Sequence, residues 1–515
     1  MYAFMKRMLS HFALLAMASA CLRAQLPGGA PSASSRVTQV GSPVTLGGSQ
    51  VTAQQNTQDS GAATINGSIQ VSGQYAGSVA ESGAPAGPIT LTLADAIKRG
   101  LSANLGPIAA TDSARAARAK RLQSLSALLP NISASVSDSV QQVNLAAYGF
   151  QFHFPTSLGF SIPSVVGPFN YSSATAALNQ SLFDMVQRRN WQGSKETERA
   201  SVLAAKDARE LVVLAVGGTY LQTIATAARV ASQKAQVANA QAIYNQAEIR
   251  KAAGTNARID VTRTFVELQT EQQRLLSLQA DFDKQTIALA RLIGLPQGRE
   301  LVLGESLLFK TGETPEAGEA IQRALAHRAD LQAAGAQVQA AKFAVSAAQA
   351  ERLPSASLSG DYGVTGPNPS TVHGVFAVTA AVNVPIWQGG RVSGDIQEAQ
   401  ANLHQRQAEF DDQKGRVEQD VRDALIELQT ASGQVRLAES NKTYAAETLT
   451  QSRDRFAAGV ATTVEVVQAQ EQVASAESDY ISSIFAYNLA KFSLARATGE
   501  LESTFADIAK GEKSK

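Results

Sequence analysis

Two stretches of this chain lie 205 residues apart and follow one pattern: "RKAAGTNARIDVTRTFVE" at 250–267 and "RFAAGVATTVEVVQAQEQ" at 455–472. The shift places Arg250 on Arg455, Gly254 on Gly459, Asp260 on Glu465 and Val261 on Val466. It also places Ala290, Arg291 and Gly294 on Ala495, Arg496 and Gly499. Each stretch interrupts a long Ala/Gln-rich run with helical periodicity, and each glycine stands where a left-handed residue ends a helix. The pattern predicts two antiparallel helical hairpins. One runs over about 184–252 and returns to 293; the other runs over 389–457 and returns to 498. Val417, Val421, Ala424, Leu428, Ala431, Val435 and Ala438 recur at spacings of four and three. So do Val212, Val216, Thr219, Thr223, Thr226, Val230 and Gln233. This is a coiled-coil seam of small and polar residues. Each long helix would span about 100 Å at a rise of about 1.5 Å per residue. So thin a seam buries no core alone and needs neighbours on both sides.

The segments before the hairpins also repeat. A helix is predicted from about 93 to 129, before Pro130, and another from about 316 to 353, before Pro354. "ALLPNISAS" and "ERLPSASLS" mark their ends, 224 residues apart. A proline after the last turn stops a helix and favours extended backbone before it. Strands follow, and the clearest is 372–387. There Val372, Gly374, Phe376, Val378, Ala380, Val382, Val384 and Ile386 share one face, with His373, Thr379 and Asn383 on the other. A membrane-spanning strand needs about 9–11 residues. The first-copy partner is 171–183, and weaker strands are expected at about 131–145 and 355–365. The shift falls to 204 across this pair, so the first copy carries about 20 extra residues near 146–171.

A net charge of +1 with 17% charged residues provides no basic excess for nucleic acid. The N-terminus has Lys6 and Arg7 before a short apolar run, which reads as an export signal ending at Ala24 or Ala20. Cys21, the sole cysteine, follows "ASA", with Ala18 where a lipoprotein box carries leucine. Two fates are open to it: acylation, or departure with the signal. Residues 25–88 are rich in Ser, Gly, Thr and Gln and read as a flexible leader. No other segment reads as a transmembrane helix. The five histidines are scattered, and no HExxH, Cys/His cluster, nucleophile elbow or P-loop occurs. The chain is therefore expected to be no enzyme and to hold no metal or cofactor.

The junctions "LLPNISAS" and "RLPSASLS", the re-entries "SLFD" and "PIWQGGR", and the two "AAG" tips followed by an acid and valine occur in order, twice. Together they resemble the TolC-like outer-membrane efflux proteins over about residues 89–500. The resemblance implies an α+β membrane protein with four transmembrane strands and long helical hairpins per protomer. It implies a trimer closing a 12-stranded β-barrel continuous with a periplasmic α-barrel. The expected layout is a signal at 1–24, a leader at 25–88 and a first repeat at 89–295 (strand pair 131–183, hairpin 184–293). An equatorial connector at 296–315, a second repeat at 316–500 (strand pair 355–387, hairpin 389–498) and a tail at 501–515 complete it. Phe183 and Trp387 would stand in an interfacial aromatic girdle. Implied partners are a periplasmic adaptor protein, an inner-membrane pump of the resistance-nodulation-division or ABC type, and the outer-membrane lipid. The implied adaptor contacts are Gly254, Thr255, Asn256, Gly459, Val460 and Ala461. Glu465, Asp260 and Gln468 match the family's constriction, with Gln468 replacing an acid; Arg258, Arg263 and Arg455 are the candidate counter-charges. Asp260 and Glu465 also read as first-turn carboxylates favoured by a helix N-terminus. The competing reading is a periplasmic coiled-coil scaffold without a pore.

Overall fold

A computed structural model of the chain describes residues 51–60, 62–80, 87–149, 163–255, 257–298, 300–305, 309 and 314–503. The expected signal, Cys21, Asn256 and residues 150–162 lie outside the described residues. A hairpin of β1 (Val51–Ser60) and β2 (Ala62–Val71) comes first, then β3 (Ile89–Leu91), α1 (Leu93–Ala103) and α2 (Leu105–Ser126). Strands β4 (Asn131–Asn144) and β5 (Val165–Phe183) lead into α3 (Met185–Ala252) and α4 (Arg258–Leu292). After β6 (Leu301–Leu303), the same order returns: α5 (Ala317–His327), α6 (Ala329–Ala350), β7 (Ser355–Gly366), β8 (His373–Asn383), α7 (Arg391–Ala457) and α8 (Thr463–Ala497).

The elements form three open rows. The antiparallel sheet has the order β4-β5-β7-β8. Next to it the helices pack as α2-α3-α6-α7, and at the far end as α4-α3-α8-α7. Helices α3 and α7 run through both helical rows. Among the described residues, the outer edges of β4 and β8 pair with no further strand.

Pairing in the sheet separates two chemistries. Ile132, Leu178, Gly360 and Val378 stand in one cross-strand line, as do Ala134, Ala176, Tyr362 and Phe376. Ile132, Val136, Tyr362, Phe376, Val378 and Val382 on this face are exposed. The other face is rich in hydroxyls, with Ser135 bonded to Thr175 at 3.1 Å and Ser137 to Ser173 at 2.9 Å. Period-two alternation gives one strand both faces, and correct register aligns them across the sheet.

Several expectations need correction. Strand β8 ends at Asn383, not at 387, because Pro385 cannot donate to a ladder. Trp387 therefore lies in the loop beyond the strand, 86% exposed, whereas Phe183 is the last residue of β5. The helices expected over 93–129 and 316–353 are each two helices, broken at Asn104 and Arg328, which are themselves 224 residues apart. Residues 51–60 and 62–71 of the expected leader are paired antiparallel strands packed on the helices. Val51, Ala53, Ile69 and Val71 join the main core, and Ile69 lies where a Cβ on Gly218 would stand. One stretch of α3 is apolar enough to cross a membrane, contrary to expectation, but most of it is buried inside the protein and serves as core.

The main core surrounds the middle of α3, where Val212, Val213, Val216 and Tyr220 meet Leu289, Ile293, Leu489 and Phe492. The Tyr220 hydroxyl donates to the Leu91 carbonyl at 2.8 Å. In α7 all seven predicted seam positions from Val417 to Ala438 are buried. A separate small core lies towards the hairpin tips, formed by Ile243, Leu449, Phe456, Val466, Ala469 and Val473.

Candidate functional site

The hairpin tips share one backbone construction. Gly254 has φ 75° and Gly459 φ 77°. The Gly254 amide bonds to the Lys251 carbonyl and Thr255 to Arg250; Gly459 bonds to Phe456 and Val460 to Arg455. Both are Schellman caps, which satisfy the last carbonyls of a helix through a left-handed residue. After each turn the chain re-enters a helix whose first turn carries an acid, Asp260 in α4 and Glu465 in α8. A carboxylate there is favoured by the helix dipole.

The two tips spend their charges differently. Arg455 pairs with Glu465 at 3.6 Å within the second hairpin, and Arg263 with Asp260 at 3.5 Å within α4. Arg258 opens α4 exposed and forms no ion pair among the described residues. Gln468 is exposed a turn beyond Glu465, while Val460 is exposed at the turn. Thr255 is exposed and its hydroxyl donates to the Arg250 carbonyl at 3.0 Å; Ala461 packs against the small tip core. Sequence reasoning missed Arg250. Its guanidinium leaves its own hairpin and donates to the Phe456 carbonyl at 3.1 Å and the Ala457 carbonyl at 3.4 Å, with its carbon 4.3 Å from the Phe456 ring centroid. The signal available was the Arg-x-x-x-Gly spacing of both tips, but nothing in it says which arginine crosses.

Further from the tips, α3, α4 and α8 share a polar zone. Gln233 donates to the Glu271 carboxylate, and Arg274 reaches Glu271 at 2.7 Å. Burial, then the charges of Glu271 and Glu471, push the Glu267 carboxyl up to about 7. Mid-chain, buried charges tie the helices together. Arg496 on α8 donates to Asp207 and to Glu210 of α3, the latter at 3.1 Å. Arg328 binds Asp330 through both Nη2 at 2.6 Å and Nε at 3.0 Å, and Asp420 of α7 at 2.6 Å. Burial raises Asp207 and Glu210 against the pull of Arg496. Burial also presses Asp330 upward, but the Arg328 hydrogen bonds and charge hold it down at about 2. No group of side chains fit to hold a metal occurs among the described residues.

Two rows of helices thus adjoin a two-faced open sheet, with glycine-capped turns at the hairpin tips. The outer membrane efflux protein family model matches residues 108–295 and 320–500. The chain belongs to the outer membrane efflux protein family. A pyoverdine export outer membrane protein of Pseudomonas putida, OpmQ, is 26% identical over 41% of this chain, and the match spans 46% of that protein. The Brucella suis outer membrane efflux protein BepC is 24% identical over 63% of this chain and 71% of its own length. The Campylobacter jejuni CmeC outer membrane channel superposes with a TM-score of 0.70 at 16% identity, covering 83% of this chain and 92% of that one. The fold of this efflux protein is therefore TolC-like, its seat is the outer membrane of a Gram-negative cell, and its structural neighbours are transport channels rather than enzymes.

Proposed function

We propose that the protein is a passive exit duct, carrying cargo from an inner-membrane pump and a periplasmic adaptor through the outer membrane. Three copies close the sheet into a 12-stranded barrel and the helical rows into a hollow α-barrel. The observation that carries this reading is the set of three open rows. A strand edge in lipid leaves backbone groups unsatisfied, so a four-stranded sheet with one apolar and one hydroxyl-rich face needs closure by further copies. Head-to-tail contacts of one edge with the opposite edge of the next copy close as a ring. The apolar face then meets lipid and the serine-rich face lines water. A scaffold without a pore gives no reason for an exposed apolar sheet face of this kind.

On this reading the tips face the periplasm, dock the adaptor through residues 254–256 and 459–461, and narrow the duct at Glu465, Asp260 and Gln468. Three Glu465 carboxylates around one axis repel, and Arg455 at 3.6 Å offsets each charge from its own hairpin. Glu465→Ala and Glu465→Gln are expected to change single-channel conductance in planar bilayers alike and to weaken block by divalent cations. Conductance and block equal to the wild type in both variants would reduce Glu465 to a helix-start carboxylate. Recovery of the protein from outer membranes as a heat-modifiable trimer separates the duct from the scaffold.

A further inference from the structure

The paired strands β1 and β2 are packed on the helices, yet the duct reading gives them no role. They precede both segments that the family model matches. Two glycines fix their seat. A Cβ on Gly218 of α3 would stand 2.5 Å from Ile69, and one on Gly67 of β2 would stand 3.1 Å from both Phe485 and Leu489 of α8. β2 thus crosses α3 and α8, and it also touches α7. Val51, Ala53, Ile69 and Val71 join the main core in this seat, while the register pairs Thr52 with Gln70 on the opposite face, where Gln70 is exposed.

Two helices agree on which face of the row carries this strand pair. Residues two apart on a helix point about 160° apart, since each step turns about 100°. On α3, Gly218 takes Ile69, whereas the Tyr220 hydroxyl donates to the Leu91 carbonyl of β3 at 2.8 Å. On α8, Phe485 meets Gly67, whereas the Tyr487 ring packs on Phe309, beyond β6, at 4.8 Å between centroids. Helix α1 lies on the Tyr220 side, with Gly100 against Val216 one turn away, and α5 shares a core with Tyr487 and Phe309. The row is therefore covered on one face by β3, α1 and α5, and on the other by β1 and β2.

We propose that β1 and β2 lie inside the duct and form, with their counterparts from the other copies, a collar that limits cargo to small molecules. The inference rests on the reading of the helical row as the wall of a three-copy duct. Four helices from each copy, about 9–10 Å apart, enclose a bore about 25 Å wide once a helix diameter of about 10–12 Å is subtracted. Two further helices from each copy, α1 and α5, would fill that bore, so their face is the outside. The strand pair then faces the lumen, where a packed sheet stands about 10 Å off its support. Three such pairs narrow the bore to about 5–10 Å, which passes small molecules and excludes even a single α-helix. The two strands, ten residues each, carry no basic residue and one acid, Asp59, so the collar meets cargo with hydroxyls and amides rather than with charge.

The test compares the two faces. In a Cys21→Ser background, a spin label is placed either on Gln70→Cys or on Val302→Cys, an exposed position of β6 on the other face. Pulsed EPR between copies is expected to place the Val302 labels at least twice as far apart as the Gln70 labels, because one set stands outside the wall and the other inside it. Gln70 labels as far apart as the Val302 labels, or farther, overturn the proposal. No distance between copies in either variant defeats the three-copy duct itself, and this inference with it. A second arm attaches a polymer-tailed maleimide to the same cysteines. Single-channel conductance in planar bilayers is expected to fall at least threefold on Gln70→Cys and to stay unchanged on Val302→Cys; full labelling of Gln70→Cys without a fall overturns the collar. Replacing residues 51–71 by a short Gly-Ser linker is expected to at least double the mass of neutral polymer that enters the channel, and an unchanged cutoff shows that the strand pair does not limit cargo size. If the replacement does not assemble, both Gln70 measurements, made on the full chain, still decide.

Discussion

At the scale of single residues, this protein places charge where its neighbours decide its cost. Glu267 lies beside Glu271 on α4 and feels the charge of Glu471 on α8, with the Arg274 charge opposing them. Two carboxylates at close range do not both ionise easily, and burial adds to the penalty. The folded protein therefore holds the Glu267 proton more tightly than the unfolded chain between its ordinary value of 4.5 and about 7. A raised folded pKa makes the stabilisation fully present below about 4.5 and lost as pH rises through 7. Chemical denaturation at a series of pH values is expected to show stability falling over this window, with a flatter profile in Glu267→Gln. A profile that keeps its slope in Glu267→Gln assigns the dependence to another group. Gly254 and Gly459 were legible as turn residues because φ near 75° costs a side chain about 1 kcal/mol or more. Arg250 was not legible: its partner is a carbonyl 206 residues away, and a carbonyl has no sequence signature.

At the scale of elements, the mid-chain breaks at Asn104 and Arg328 split each helical stretch before the strands in two. Asn104 and Arg328 stand at equivalent breaks and solve the same problem by different chemistry. The buried Asn104 accepts from the Gly106 amide and donates to the Tyr75 carbonyl at 2.6 Å. Arg328 uses charge, binding Asp330 and Asp420. Each break packs against the glycine cap of a returning helix. A Cβ on Gly294 would meet Ala103, and one on Gly499 would meet the Arg328 backbone. Removing one member of a buried ion pair leaves the other uncompensated, at a cost of about 3–5 kcal/mol. Arg328→Ala is therefore expected to lower the thermal midpoint strongly, while Arg323→Ala, whose pairs are longer and more exposed, changes it little. Similar shifts in both variants would mean that the Arg328 cluster is not what holds α5, α6 and α7 together. Helical periodicity ran unbroken across Asn104 and Arg328, so sequence reasoning drew one helix where there are two. The β1–β2 hairpin was missed because its composition is that of a leader, and its apolar residues find their partners far along the chain, mainly on α3 and α8.

At the scale of the whole molecule, the two halves differ most where β4 and β5 run beyond the β7–β8 hairpin. The β5–β7 pairing stops at Ser172 and Gly366, while β4–β5 pairing continues to Asn144 and Val165. On the proposed barrel reading the longer loop lies outside the cell, as in transmembrane β-barrels generally. An epitope inserted beside Ser164 is expected to be labelled on intact cells; labelling only after the outer membrane is ruptured would reverse the topology. By itself the sequence determined the local order: helix, strand pair and glycine-capped hairpin, given twice. Periodicity, proline stops and left-handed glycines act within a few residues, so one chain suffices to read them. Which side chains meet was decided only in three dimensions. Arg250 on Phe456, Arg496 on Asp207, and Ile69 against Gly218 join residues far apart in the chain. Such contacts depend on how long helices come to lie side by side, and small shifts along a helix axis exchange every partner at once.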